Sequence, residues 1–496
     1  MKLTLINPNI VTQKGDLFSS GIPYMPLTLA YLAAYLRSLA HSIEIIDSFG
    51  EKPTQLITHG NYYIQGLTTT EIIEKIPQDT DAIFVYASLV VTHNTNLRII
   101  KSIREHFKGT IIIIENTQSV IAYSLKRVAQ DFLDAGANYI ITGEPEYRAQ
   151  KLLEAIAQKK EPTEIDGLIY SQNNIKIHLP KKEYIKEPDV LPFPAWDLFP
   201  LQNYWKLKYS HAPFTTNKYI PLLTSRGCTL PCKFCIVPET NERKWRARSA
   251  KNVFEEIKYW HNKYDICEFH IEDLNPTIRK DRMEELSKLI IESKLKIIWK
   301  FAAGTKIETI DKNTLNIMAK AGCVYVSMSP ESGSLKVLKE MNKPFNHEFG
   351  IEMTKYMNSL GITTQACFVL GFPTETDEDL KMTGKYISKL TKAGIDEVAM
   401  FIMTPIPGSE TEGTIKGYTE LQQLTFSPTW RPDYKKLNKF RWQTYKKYLL
   451  LKLIYHPIKL LKQPFNIITR KFKTKMEMTV FRALKLIYLS RFNKTK

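Results

Sequence analysis

Short apolar runs alternate with helix-like segments in two separate series along this chain, and that alternation restricts its fold more than any other feature. In the first series the pattern predicts strands at 3–7, Ser42–Asp47, Ala82–Ala87, Thr110–Glu115 and 138–142, with helical periodicity over 25–39. Strands separated by helices pair in parallel through crossover connections, which makes an open α/β sheet. Such sheets bind ligands at the carboxyl ends of their strands. The turns there are Asn7-Pro8, Ser88-Leu89, Glu115-Asn116 and Gly143-Glu144-Pro145-Glu146. A second series places strands at 219–224, Glu268–Ile271, 297–302, 324–327, 364–370 and 397–403, with helices such as 253–261 and Lys312–Lys320 between them. Six such units in roughly 200 residues fit a barrel or partial barrel, with chemistry again at the strand carboxyl ends. Between the two series, prolines crowd the irregular stretch 187–200, which reads as an inter-domain linker. The expected organisation is 1–180 for the first sheet, 181–215 for the linker, 216–412 for the barrel and 413–496 for a helical extension.

Charge is distributed just as unevenly. The chain carries 69 Lys and Arg against 51 Asp and Glu, a net +18 that by itself suggests a polyanionic partner. Residues 431–496 hold 19 of those basic residues and only two acids, Asp433 and Glu477, which leaves the preceding 430 residues at +1. A near-neutral body suits an enzyme of small or apolar substrates. The basic tail also holds eleven aromatic residues, and prolines at 457 and 464 are expected to split it into two or three helices. It reads as a segment lying on an anionic membrane, with a helical cap on the barrel and nucleic-acid binding as alternatives. The runs Leu449-Leu450-Leu451 and 484–489 are more aliphatic than a nucleic-acid-binding helix needs. On this reading the tail decides where the protein sits more than what it does. No stretch reaches the roughly 18 uncharged apolar residues of a membrane span. The opening MKLTLINPNI reads as a strand and not as a signal peptide. The expected location is the cytoplasm, with the tail at the inner face of the membrane.

Six cysteines exclude a disulfide scaffold. Three of them, Cys228, Cys232 and Cys235, stand as C-x3-C-x2-C just after a predicted strand. Clustered thiolates in a reducing compartment suit soft iron. A 4Fe–4S cluster needs four ligands, and three local cysteines leave one iron open to a small molecule. Zinc is the structural alternative, but it wants a fourth donor close by, and the next downstream histidine is His261. Cys267, Cys323 and Cys367 lie in apolar strand patterns and read as buried structural thiols. His93 follows the Ser88 loop and faces the first sheet's ligand end, where a structural role outweighs a functional one.

These motifs together resemble the radical S-adenosylmethionine superfamily, in the subgroup that carries a cobalamin-binding domain ahead of the barrel. The cysteine motif with its preceding Thr224-Ser225-Arg226-Gly227 and following Trp245-Arg246-Ala247-Arg248-Ser249 is similar to that family. So are 321–334 around Glu331, 368–376 with Gly371-Phe372-Pro373, and Thr404-Pro405-Ile406-Pro407-Gly408. In the first series Asn7-Pro8, the helix 26–36, Ile45-Ile46-Asp47, the Gly143-Glu144-Pro145-Glu146 turn and Leu191-Pro192-Phe193-Pro194 look like the cobalamin-binding half. The resemblance implies a Rossmann-like cobalamin-binding domain followed by a (β/α)6 partial barrel. It implies a 4Fe–4S cluster on Cys228, Cys232 and Cys235, with S-adenosylmethionine on the open iron, cleaved by one electron to a 5′-deoxyadenosyl radical. Phe234, Glu272, Asp273, Glu331, Gly371 and Pro405 fall where the family contacts S-adenosylmethionine. Asn7, Pro8, Ser88, Leu89, Glu115, Asn116, Gly143 and Glu144 fall where it contacts cobalamin. Two departures stand out. There is no D-x-H-x-x-G to offer cobalt a histidine, and Glu115-Asn116 replaces the usual Gly-Gly, so that side chains narrow the turn.

The reaction so implied is methylation of an unactivated carbon in a hydrophobic metabolite or lipid, with an electron donor such as flavodoxin or ferredoxin. Radical cyclisation, oxidation or carbon–carbon bond formation without methyl transfer is the alternative within the family. A nucleic-acid-modifying enzyme is the alternative outside it, against which no second cysteine cluster or RNA-binding domain is visible.

Overall fold

In the computed structural model, which describes residues 1–16 and 20–492, the first series forms a seven-stranded sheet. Its first five strands are Lys2–Asn7, Ser42–Asp47, Ala82–Ala87, Thr110–Glu115 and Tyr139–Ile141. They are parallel and lie in the spatial order second, first, third, fourth, fifth. The fourth strand shows why. Ile112 and Ile114 enter one core while Ile111 and Ile113 enter the core on the opposite face, the period-two alternation of a strand covered on both sides. Strand order reverses between the first and third strands, which makes a switch point with a crevice at their carboxyl ends. Two strands absent from the sequence expectation, Leu168–Gln172 and Ile175–His178, extend the sheet antiparallel beyond the fifth. A small antiparallel sheet of Ile10–Gln13, Leu56–His59 and Tyr62–Gln65 was likewise not foreseen.

The second series forms six parallel strands paired in chain order: Ile220–Leu222, Glu268–Ile271, Ile298–Thr305, Cys323–Glu331, Thr363–Leu370 and Glu397–Ile402. Among the described residues no pairing joins the sixth to the first, so the (β/α)6 barrel is open on one side.

The stretch expected to be a linker is packed. Trp196 is fully buried, Leu191, Ala195 and Phe199 join the same core as the barrel's Trp299 and the first sheet's Phe84, and the Ala195 N–H donates to Ala30 O at 3.0 Å. One apolar core therefore runs from the first sheet into the barrel.

The tail forms three helices, Tyr434–Tyr455, Pro457–Thr469 and Lys475–Phe492. Pro457 does mark a break, whereas Pro464 sits inside the second helix. The second break falls after Arg470, whose φ of 55° ends that helix in the left-handed region. The third helix starts on a capping box: the Glu477 N–H donates to Thr474 Oγ1 at 3.2 Å, and Glu477 Oε2 accepts from the Thr474 N–H at 3.2 Å. This helix closes the open side of the barrel. Phe472 N–H donates to Phe214 O at 3.1 Å and Ser210 N–H to Met478 Sδ at 3.3 Å, just before the first strand. The Lys475 and Met476 N–H groups donate to Glu397 on the sixth strand at 3.0 and 2.7 Å. A buried carboxylate thus satisfies the helix's leading donors.

Candidate active site

The cysteine loop is shaped by buried polar contacts. Just past the first barrel strand, the Thr224 N–H and hydroxyl and the Ser225 hydroxyl donate to the Asp273 carboxylate at 2.7, 2.6 and 2.5 Å. The chain then pairs Ser225–Arg226 with Arg246–Ala247 as a short hairpin. Gly227 follows at φ +83°, and a Cβ there would lie 1.9 Å from Lys244 O, so the turn into the cysteines requires glycine. Arg226 Nη2 meets Glu146 Oε1 at 2.7 Å, and Arg246 Nη1 meets Glu144 Oε1 at 2.7 Å, all four side chains being largely buried. Burial works against the Glu144 charge, but Arg226 and Arg246 outweigh it and hold its carboxyl below the usual range. The hairpin is clamped onto the first sheet by these two ion pairs.

Cys228, Cys232 and Cys235 are unpaired and all line one cavity of about 440 Å³. Burial pushes the Cys232 thiol up to about 11. Among the described residues no three His, Cys, Asp or Glu side chains converge on a single ion. A tetrahedral zinc site asks for four donors on one ion, whereas a cubane cluster asks for one thiolate per iron, and three thiols around one cavity fit the latter. Phe234 lines the cavity and packs against the cluster of Val337, Met341, Val369, Phe372 and Met403.

Of the other predicted contacts, Glu331 and Glu272 reach the cavity. The register of the fourth strand on the fifth shifts between Met328 and Glu331, and Glu331 stands at φ +61°. Pro330 has no N–H to give the ladder, so the strand bulges here and turns Glu331 inward. Lys343, which sequence reasoning missed, donates to Glu331 Oε1 at 2.6 Å. Burial works against the Lys343 charge, but Glu331 outweighs it and raises its pKa. Burial alone would raise the pKa of Glu272, but the His211 ring more than reverses this, and burial keeps His211 itself below its ordinary value. His211 Nδ1–H therefore donates to Glu272 at 2.6 Å, and its Nε2 faces Lys475 Nζ at 3.4 Å.

The remaining assignments are corrected by the contacts. Asp273 does not line the cavity, because its oxygens are taken by Thr224 and Ser225. Gly371 is also outside it: its N–H donates to Glu375 and its carbonyl accepts from Arg431. Thr404 and Ile406 face the cavity where Pro405 was expected. Cys323 is a core thiol as expected, but Cys367 lines the cavity, with Ser327 Oγ 3.6 Å away. The larger omission is the tail. Trp442, Tyr445, Leu449, Lys475, Met478 and Val480 line the cavity, and Lys475 Nζ donates to Ala302 O on the third strand at 2.7 Å. The Thr474-x-x-Glu477 capping signal could have located the helix, but nothing local could have placed it inside the barrel.

At the carboxyl ends of the first sheet, Asn7, Pro8, Ser88, Leu89 and Asn116 line a crevice of about 70 Å³ at the switch point. Asn7 Nδ2 donates to Asp47 at 2.7 Å, and Asn116 Nδ2 to Ser88 O at 2.8 Å. Glu115 does not narrow the turn. Its carboxylate points inward and accepts from the Leu125 and Gly143 N–H groups at 2.9 and 2.6 Å, while burial raises its pKa. Gly143 and Glu144 lie outside the crevice, Glu144 being spent on Arg246. His93 also stays away, packed against Tyr123 and Phe132 and 3.1 Å from Asp131. Ile22, Tyr24, Gln118, Ser119, His211 and Glu272 line both the crevice and the barrel cavity. The buried Gln118 Oε1 has no partner among the described residues.

Comparison with known proteins agrees with this geometry. The Radical SAM superfamily profile matches residues 222–387. An uncharacterized methyltransferase of Pyrococcus horikoshii is 28% identical over 431 residues, covering 87% of this chain and 86% of its own. Cytidylyl-2-hydroxyethylphosphonate methyltransferase of Streptomyces wedmorensis is 25% identical over 467 residues, with 87% and 85% covered. Among solved structures, the radical S-adenosylmethionine methyltransferase TsrM of Kitasatospora setae, with cobalamin and a 4Fe–4S cluster bound, matches with a TM-score of 0.64 at 15% identity over 84% of this chain and 74% of that one. At that identity the likeness speaks for the fold.

Proposed function

We propose that this chain, a radical SAM enzyme whose partial barrel is joined to a Rossmann-like sheet, binds cobalamin at the sheet's carboxyl ends and methylates an unactivated carbon of a small, hydrophobic substrate held in the barrel cavity. The observation that carries this reading is the adjacency of the two spaces, which have Tyr24, His211 and Glu272 in both walls. The crevice, about 70 Å³, and the cavity, about 440 Å³, share these residues in their walls, so a cofactor at the sheet's carboxyl ends would lie next to whatever the barrel holds. Cys228, Cys232 and Cys235 would hold the cluster, and Glu331 with Lys343 and Glu272 would meet the charged end of S-adenosylmethionine. Asn7, Ser88, Asn116 and Gln118 would meet cobalamin. When bound, these groups supply the 5′-deoxyadenosyl radical and the methyl group.

The chain's own work is to position and to exclude water. Val369, Phe401, Met403, Leu449 and Met478 make most of the cavity wall apolar, which suits a substrate carbon without activating groups. Lys475, with one N–H on Ala302 O and another toward His211, leaves a third donor for the polar end of a bound molecule. An exogenous one-electron donor, a flavodoxin or ferredoxin, would feed the cluster. That both named relatives are methyltransferases supports methyl transfer over radical cyclisation. Anaerobic reconstitution with cobalamin and S-adenosylmethionine tests the reading, scoring 5′-deoxyadenosine and S-adenosylhomocysteine separately. Both products are expected together; 5′-deoxyadenosine alone would replace methylation by radical chemistry without methyl transfer.

A further inference from the structure

We propose that the outward face of the C-terminal helices docks on an anionic lipid bilayer and that the barrel cavity opens onto that face, so that a hydrophobic substrate enters from the membrane. Exposed apolar side chains are concentrated, not scattered: among the described residues fourteen of the twenty-two exposed large hydrophobics lie between Trp442 and Tyr488. Leu450, Ile454, Ile458, Leu461, Phe465 and Ile468 recur every three or four positions through the first two tail helices and are 58–79% exposed. Monomeric proteins rarely leave so continuous an apolar surface to water.

The charges around this stripe are of one sign. Lys446, Lys447 and Lys462 are exposed on the same helices, and Arg470 and Lys471 are exposed just after the second. The two acids are spent elsewhere, Asp433 on Arg431 and Glu477 on its own helix start. An aliphatic stripe with a basic rim complements acyl chains beneath anionic headgroups. Nucleic acid would satisfy the rim but not the stripe, and two copies meeting through this face would bring their basic rims together. The cavity's entrance is apolar too. Trp442, Leu449, Val480 and Val120 line the cavity and are still 38–50% exposed, so it reaches the surface beside the stripe. No helix among the described residues is long and apolar enough to cross a membrane, so the contact is one of surface docking. The nature of what enters rests on the function proposed above; the docking does not.

The test uses the full-length, cluster-reconstituted protein with vesicles of phosphatidylcholine alone and of phosphatidylcholine mixed with phosphatidylglycerol. Sedimentation with the mixed vesicles is expected, weakening as salt rises. The triple substitution Ile458→Glu, Leu461→Glu and Phe465→Glu should weaken it about tenfold or more, with 5′-deoxyadenosine formation and thermal unfolding unchanged. Trp442 emission should shift to the blue on vesicle addition, and the shift should vanish in Trp442→Phe. No sedimentation, or equal sedimentation of the triple variant, would overturn the docking. A dimer in light scattering that the triple variant dissociates would assign the face to a second copy, and binding of RNA in place of vesicles would assign it to nucleic acid. Docking without the Trp442 shift would overturn the entrance. Docking that persists when no methyl transfer is found would leave the surface standing and remove only its cargo.

Discussion

The two parallel sheets turn their carboxyl ends toward one shared space, yet they hold their loops by different means. The barrel's loops are pinned by buried charge: Asp273 on Thr224 and Ser225, Arg226 on Glu146, Arg246 on Glu144, Lys343 on Glu331. The first sheet's own contribution to the crevice, Asn7, Pro8, Ser88, Leu89 and Asn116, is uncharged and held by single amide hydrogen bonds, that of Asn7 running to the Asp47 carboxylate, while the crevice's charged groups, His211 and Glu272, come from the barrel side. The contrast fits two tasks. A loop that presents three thiols to one cavity must hold a fixed shape, and buried charged hydrogen bonds supply that rigidity. A broad cofactor face needs close backbone approach and few desolvated charges.

The most damaging way to break the barrel side is Cys232→Ala. It should abolish cluster binding and S-adenosylmethionine cleavage while leaving cobalamin retention in place; cleavage by this variant would mean that the three cysteines do not form the site. Glu146→Ala removes the hydrogen-bonded carboxylate of buried Arg226, leaving only Glu144 at 3.7 Å, and should cost about 3 kcal/mol of stability, measured by denaturant unfolding. A loss below about 1 kcal/mol, as for a surface pair, would dissolve the difference drawn between the two sheets. Lys475→Met should slow substrate turnover about ten- to a hundredfold through a lost charged hydrogen bond, with uncoupled S-adenosylmethionine cleavage retained. On the neutral side, Ser88→Trp should fill the crevice and remove most cobalamin absorbance from the purified protein without affecting the iron content.

The comparison is sharpened further by pH. Glu375 accepts the Gly371 N–H at 2.6 Å, and burial pushes its pKa from 4.5 up to about 8. The folded chain therefore keeps a proton that the unfolded chain releases. This contribution to stability is complete below pH 4.5 and is lost as pH rises through about 8. Glu375→Gln, which mimics the protonated form, should flatten the stability profile across that window in pH-dependent unfolding; an unchanged slope would locate the titration elsewhere.

The framework and the grouping of three cysteines could be read from local sequence. Four consecutive isoleucines at 111–114 belong to a strand buried on both faces, and three cysteines in eight residues after a strand belong to one loop. Both signals are local, readable within a few positions. What each buried carboxylate does was decided only by the tertiary structure. Asp273, Glu144 and Glu272 look alike in sequence, but Asp273 shapes a loop, Glu144 clamps a hairpin 102 positions away, and Glu272 faces the cavity. The tail shows the same limit. Its composition marks a basic, apolar helical segment, but only packing makes Lys475 and Met478 a wall of the cavity while Ile458 and Leu461 face outward. Periodicity tells a chain which residues share a face. Which face meets the core depends on the gap left between the first and sixth barrel strands, and that gap exists only once the barrel has folded.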